Sequence, residues 1–140
     1  MATLRTQTGD IELLLRPYRL GEDGKPQWLL TQLEFRHGSS RPIATTLSVT
    51  RDDLRQLHAS LSDVVSGRRS SVTIVTLDDD FILEVAADEA WGTASVGFWE
   101  GEPALLMRGY RFTVPLSHIR DFLLELAADE RAVTARAAPP

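Results

Sequence analysis

The chain contains no cysteine and only one lysine, Lys25, against fourteen arginines. Without cysteine there is no disulfide, no thiolate metal site and no thiol nucleophile. The first ten residues, MATLRTQTGD, lack the apolar core of a signal peptide, and no apolar run is long enough to span a bilayer. These absences favour a cytoplasmic protein.

Signatures of catalysis, cofactor binding and metal binding are also missing. The three histidines, His37, His58 and His118, are far apart and match no metal-ligand spacing. Ser117 and His118 are adjacent, whereas a triad brings a serine and its base face to face beside an acid. The run of aspartates at 78–80 lacks the spaced ligands, glycine and distal glutamate of an EF-hand. We therefore expect no enzyme, no cofactor and no metal.

Length and composition indicate one folded domain. The chain has 140 residues, 43% hydrophobic and 25% charged, which is ordinary for a globular protein with a single core. We assign residues 1–128 to this domain. Residues 129–140 show no periodic pattern, and we expect them to form a disordered tail. The sequence shows no internal repeat.

The stretch Thr50–Gly67 has the clearest helical pattern. Its apolar residues fall on one stripe at helical spacing, namely Leu54, Leu57, Leu61, Val64 and Val65. Thr50 is a good N-cap, and Asp53 three residues later completes an approximate capping box. Gly67 is well placed to end the helix in a left-handed conformation. We predict a central helix against which a sheet packs.

Alternating apolar residues predict seven strands around this helix. The predicted strands are Ile11–Leu20, Trp28–Arg36, Ile43–Val49, Ser71–Leu77, Phe81–Val85, Trp91–Trp99 and Ala104–Val114. A second helix, capped by Ser117, carries the stripe Ile119, Phe122, Leu123 and Leu126. Short turns favour antiparallel neighbours. We predict an α+β fold, with one antiparallel sheet of six to seven strands and both helices on one face.

Negative charge is concentrated in one segment. Residues 78–102 carry eight acids and no lysine or arginine, whereas the whole chain has a net charge of −5. An acidic rim beside an aromatic anchor is typical of a protein–protein hot spot that faces a basic partner. The predicted partner-binding residues are Asp78, Asp79, Asp80, Asp88, Glu89, Trp99, Glu100 and Glu102. The alternative is that turns are simply acidic and that the tryptophan belongs to the core.

The pattern of helices and strands resembles the WapI-like group of small bacterial immunity proteins over about residues 10–127. In that group the last strand and closing helix follow an F-x-V-x-x-S/D-x-hydrophobic-x-x-F-x-x-x-L pattern. Here it corresponds to Phe112, Val114, Ser117, Ile119, Phe122 and Leu126. The resemblance implies a non-catalytic protein that binds and neutralises a toxin encoded beside it. It carries over no site residues.

Two other functions remain open. The protein is alternatively a structural module that uses a sheet edge to self-associate or to join a larger complex. A small-molecule binder with a pocket between sheet and helices is the third hypothesis. The negative net charge argues against nucleic acid as a partner, because phosphate binding favours a basic face.

Overall fold

The computed structural model describes residues 1–20, 28–77, 79–102 and 106–137. Four strands and a helix are followed by four more strands and a second helix. The strands are β1 (Ala2–Arg5), β2 (Ile11–Leu20), β3 (Trp28–His37), β4 (Ile43–Thr50), β5 (Ser71–Val75), β6 (Phe81–Asp88), β7 (Thr93–Glu102) and β8 (Leu106–Pro115). The helices are α1 (Arg51–Val65) and α2 (Leu116–Ala137). Both halves thus have the same element order, although the sequence shows no repeat.

The strands form two antiparallel sheets in the described part of the chain. The first sheet has the order β1-β2-β3-β4 and the second has the order β5-β6-β7-β8. The α+β class with antiparallel strands is confirmed, but the prediction of one sheet of six to seven strands is wrong. Apolar alternation defines the buried face of a strand, not the sheet to which it belongs. The strand β1 escapes prediction because four residues are too few to show a period of two.

Each helix packs on the sheet of the other half. The helix α1, which follows the first sheet, packs mainly against β5 and β6, whereas α2 packs mainly against β1 and β2. The two helices also contact each other. The expectation of two helices on one face of one sheet is therefore wrong as well. This exchange joins both halves in one hydrophobic core, and the apolar faces of the sheets that line it are called the inner faces below.

The central helix follows the prediction closely. Thr50 is its N-cap, and its Oγ1 accepts a hydrogen bond from the Asp53 amide at 2.9 Å. An Asp53 carboxylate oxygen accepts from the Thr50 amide at 2.8 Å, which completes the capping box. The predicted stripe is buried at Leu54, Leu57, Leu61 and Val64. Gly67 follows the helix with a φ of 78°, in the left-handed region that glycine adopts at little cost.

Replacing the N-cap should destabilise the fold modestly. We expect Thr50→Ala to lower the free energy of unfolding by about 0.5–2 kcal/mol, because the Asp53 amide loses its acceptor. Urea denaturation followed by circular dichroism measures this change. The control is Thr73→Ala, at an exposed position on β5. Equal unfolding midpoints for the two variants would show that the cap contributes nothing.

The second helix is longer than predicted. It begins at Leu116, so Ser117 lies in its first turn rather than at its cap, and it continues to Ala137. The tail predicted from residue 129 is therefore helical through Ala137, while residues 138–140 lie outside the described residues. Val133 is buried, and Arg136 donates to the Tyr18 carbonyl at 3.2 Å. The sequence hides this extension because one valine among alanine, glutamate and arginine makes no stripe. No helix in the described ranges is long and apolar enough to cross a membrane.

Candidate functional site

The outer face of the second sheet, opposite its inner face, presents an apolar row that crosses all four strands. The strand register places Val75 opposite Ile82, Ile82 opposite Trp99, and Trp99 opposite Gly109. Val75 is 41% exposed. The next row along the sheet runs through Thr73, Glu84, Gly97 and Arg111. We call the row Val75–Ile82–Trp99–Gly109 the aromatic row.

Two glycines give the Trp99 ring its place on the sheet. A Cβ atom at Gly109 would lie 2.4 Å from Cδ1 of Trp99 and 2.6 Å from its Nε1. A Cβ atom at Gly97 would lie 3.1 Å from the far edge of the same ring. The indole therefore occupies space that any larger residue would take, and it lies close against the backbone. Such a ring has few ways to move and little ordering entropy to lose when a ligand contacts it.

An arginine accompanies the ring. The guanidinium carbon of Arg111 lies 5.5 Å from the Trp99 ring centroid, within the range of a cation–π contact. A nitrogen of the same guanidinium donates to a Glu84 carboxylate oxygen at 3.3 Å. The Arg111 side chain nevertheless remains 57% exposed. Trp99 and Arg111 thus form a pair that is fixed in position, with the guanidinium still accessible to solvent. Arg111 also offsets the charge of Glu84.

The predicted acidic surface is divided between two ends of the second sheet. The Asp80 carbonyl accepts from the Gly101 amide at 3.1 Å, so the β5–β6 turn with Asp79 meets the end of β7 that closes with Glu102. Asp88 and Glu89 are exposed at the other end, where β6 turns into β7. The eight-residue strand β6 separates the two groups by roughly 23 Å. Asp78 lies outside the described residues.

Glu100 is buried rather than displayed. The strand β7 continues past the predicted end at Trp99, and Glu100 falls on the inner face at 3% exposure. Arg108 lies directly opposite on β8, and its Nε and a terminal nitrogen each lie 2.7 Å from one Glu100 carboxylate oxygen. With Glu84 paired to Arg111 as well, two acids of the segment meet arginines of β8. The segment is acidic in sequence, but β8 offsets part of its charge in space.

Two charged groups of the first sheet and its turns, Arg36 and Asp10, are held by hydrogen bonds. On the face away from the core, Arg36 donates to Glu34 at 2.8 Å, and this hydrogen bond and the carboxylate charge raise the pKa of Arg36. In the β1–β2 turn, hydrogen bonds from the Thr6 and Thr8 hydroxyls lower the pKa of Asp10.

A groove of about 310 Å³ opens on the outer face of the first sheet. Its lining consists of Arg16, Tyr18, Gln32, Ala44, Thr45 and Thr46.

The histidines are placed as structural groups. The His37 ring nitrogens lie 3.1 and 3.3 Å from the Tyr110 hydroxyl, and His58 Nδ1 lies 3.5 Å from the Ser62 hydroxyl. His118 Nδ1 donates to the Arg5 carbonyl at 2.8 Å. Within the described ranges, no group of three histidine or acidic side chains is arranged to hold a metal ion. His37 and His118 therefore link different elements, whereas His58 contacts a residue one turn further along α1.

Among the predicted site residues, Trp99 alone lies in the aromatic row, and its partners there are not in the sequence prediction. Gly97 and Gly109 are neutral and Arg111 is positive, whereas the sequence prediction selected residues from the acidic segment. A usable signal exists in the sequence, because glycine inside a strand often marks a close approach by another group. Gly97 precedes Trp99 by two positions, and Gly109 precedes Arg111 by two, so each pair shares a face.

Comparison with known proteins gives fold neighbours only. No family model and no curated protein matches the chain. Trypanosoma brucei MRP1/MRP2 has a TM-score of 0.51 and 10% identity, covering 91% of this chain and 77% of that chain. The plant transcriptional regulator PBF-2 has a TM-score of 0.50 and 11% identity, covering 91% and 82%. WHY3 from Arabidopsis thaliana has a TM-score of 0.48 and 13% identity, covering 95% and 86%.

These neighbours overturn the predicted function. Neither MRP1/MRP2 nor PBF-2 is a WapI-like immunity protein, and the fold is similar to that of a transcriptional regulator. The interpretation as a toxin-neutralising protein with a basic toxin as partner is wrong, and so is the exclusion of nucleic acid. Net charge is a poor guide to the partner here, because it describes the whole chain, whereas binding depends on one face. The resemblance to immunity proteins itself stays a prediction.

Proposed function

We propose that the protein is a non-catalytic binding module that takes single-stranded nucleic acid on the outer face of its second sheet. The observation that carries the proposal is the Trp99 ring, seated on two strand glycines beside the exposed guanidinium of Arg111. Aromatic rings and arginine planes are the groups on which proteins stack unpaired bases. The cytoplasmic location expected from the sequence is part of this proposal.

The shape of the face favours a single strand over a duplex. Antiparallel sheets with exposed aromatic side chains take two or three splayed bases in common RNA-binding modules. The aromatic row crosses four strands spaced about 4.8 Å apart, a width of roughly 14 Å. Bases in a duplex are already stacked on each other and offer no free face to the indole. The major groove of a duplex admits a helix or a two-stranded ribbon, not the face of a four-stranded sheet.

Side chains around the pair suit a ligand without strong sequence preference. Thr73 and Thr113 are exposed on the same face and provide hydroxyl groups that both donate and accept hydrogen bonds. Stacking tolerates every base, because each has a π-face. Little phosphate contact is available, since Arg111 already contacts Glu84. We therefore expect binding to depend on bases more than on the phosphate backbone.

The fold neighbour PBF-2 adds support at the level of fold. It is a transcriptional regulator, and such proteins commonly act through nucleic acid. A shared fold at 11% identity does not transfer a site, so Trp99 and Arg111 are the residues that support a nucleic-acid site.

Fluorescence anisotropy with labelled oligonucleotides tests the proposal. The protein is titrated into a single-stranded DNA, the same sequence as RNA, and the matching duplex. We expect both single strands to bind more tightly than the duplex. We also expect a shallow salt dependence, with a log–log slope of about −1, because one or two phosphates are contacted. Tighter binding to the duplex, or no binding to either strand at low salt, would rule the proposal out.

A further inference from the structure

The strand β4 is an edge strand without the usual protection. Its sequence, IATTLSVT, contains no charged residue, no proline and no glycine. In the part of the chain that the structure describes, β4 pairs with β3 and with no other strand. Ala44 and Thr46 are exposed along it. Natural proteins normally block such an edge with charges, proline, bulges or covering elements, because its free backbone groups attract other strands.

The other three sheet edges each carry a protective feature. The strand β1 has four residues, and His118 already donates to its Arg5 carbonyl at 2.8 Å. The strand β5 has five residues and packs against α1. The strand β8 carries two arginines, Arg108 and Arg111. Among the described edges, β4 therefore differs in being both long and uncharged.

We propose that β4 pairs with β4 of a second copy of this chain, in antiparallel orientation about a two-fold axis at Thr46. The pairing segment is bounded by Pro42, which has no amide to donate, and by Arg51, where α1 begins. A two-fold axis perpendicular to the sheet keeps the inner faces of both copies on the same side. Two residues that face each other across the axis are therefore both on the inner face or both on the outer face. Centring the axis on Thr46 uses all of Ile43–Val49.

In this arrangement Ile43 faces Val49 of the second copy, and Ala44 faces Ser48 of the second copy. Thr46 faces its own equivalent, and threonine–threonine pairs across strands are favourable. A two-fold axis sets every side chain against one from an identical strand. Strands carrying a charge near the axis would bring like charges together, whereas β4 has none. The edge is therefore self-complementary, which favours a second copy over an unrelated strand.

Pairing changes the surface on the outer face of the first sheet. The groove of about 310 Å³ includes Ala44 and Thr46 of β4 in its lining. The two grooves of a dimer then lie side by side across the axis, on one sheet of eight strands. The buried area is small, so the association is weak and depends on concentration. This inference is independent of the proposed nucleic-acid site, which lies on the second sheet.

Sedimentation of the full chain over a wide concentration range provides the first test. We expect the average mass to rise from 15.6 kDa toward twice that value. Thr46→Lys should abolish the rise, because two lysines would face each other at the axis. The matched control Thr73→Lys, at an exposed position on the edge strand β5, should behave as the unmodified protein. Thermal unfolding of both variants verifies that they fold.

Cysteine cross-linking tests the strand pairing directly, without a substitution designed to disrupt it. Because the chain has no cysteine, a single introduced thiol reports one position. Thr46→Cys should form a disulfide-linked dimer under mild oxidation, since opposed Cα atoms lie about 4.5–5.5 Å apart. Ala44→Cys should not, because its two copies would be roughly 13 Å apart.

The two tests together decide the proposal. A rising mass with cross-linking at position 46 and not at position 44 supports it. A monomer at every concentration, with equally slow cross-linking at both positions, overturns it. Faster cross-linking at position 44 overturns the proposed register. If the protein is a monomer at every concentration, the edge of β4 would instead be expected to pair with a strand of a different protein.

Discussion

Phe35→Ala should lower the free energy of unfolding by about 3–5 kcal/mol, the range for removing a buried phenylalanine ring. Phe35 lies on the inner face of β3 and is buried. Its ring centroid lies 4.9 Å from that of Phe98 and 6.2 Å from that of Phe112, both on the second sheet. The ring therefore joins the two sheets, and its loss leaves a cavity where they meet. Such tilted aromatic pairs add to the free energy of burial.

Urea denaturation followed by intrinsic fluorescence measures this change. Phe35→Leu is the conservative comparison, because it retains much of the apolar volume and should cost less than Phe35→Ala. Tyr18→Ala, on the partly exposed wall of the outer groove, is the matched control for loss of an aromatic ring. A loss below about 1 kcal/mol for Phe35→Ala would show that the two inner faces do not pack together as described.

Trp99→Ala should weaken the binding of single-stranded oligonucleotides by about 5- to 150-fold. This range corresponds to the 1–3 kcal/mol that one base–aromatic stack contributes. Trp99→Phe should recover part of the affinity, since a smaller ring still offers a π-face. Arg111 also loses its ring contact in Trp99→Ala, so the effect combines stacking with the position of the guanidinium.

Trp91→Ala is the matched control for this prediction. Trp91 is 81% exposed in the β6–β7 turn, at the opposite end of β7 from Glu100. Its removal should leave affinity unchanged. Thermal unfolding of each variant separates lost binding from lost structure. Equal affinity for Trp99→Ala and the unmodified protein would place the ligand elsewhere, and a larger effect at Trp91 would do the same.

Sequence patterns predict the local elements well, because those elements depend on neighbouring residues. Thr50, Asp53 and Gly67 define both ends of α1 through hydrogen bonds and backbone geometry within the segment itself. The strand β2 has the predicted bounds, Ile11–Leu20. Whether the strands form one sheet or two depends on contacts between distant segments. The same alternation of apolar residues fits both arrangements.

The candidate site was only partly accessible from sequence for a related reason. Residue types in the sequence indicate that Trp99 is an anchor, but they assign it to an acidic surface. The contact of the Trp99 ring with Gly109 depends on the register of β7 with β8, which places Gly109 opposite Trp99. The same register sets Arg108 opposite Glu100 and removes that carboxylate from the surface. A cross-strand partner cannot be identified until the pairing is known.

The most direct test of the central claim is the amide spectrum of isotope-labelled protein during titration with a single-stranded oligonucleotide. If the outer face of the second sheet binds the strand, the largest shifts will occur at the Gly97 and Gly109 amides and at the indole N–H of Trp99. Thr73 and Thr113 should shift less, as neighbours on the same face. Shifts confined to α1, α2 or the first sheet, or a spectrum unchanged at saturating oligonucleotide, would contradict the claim.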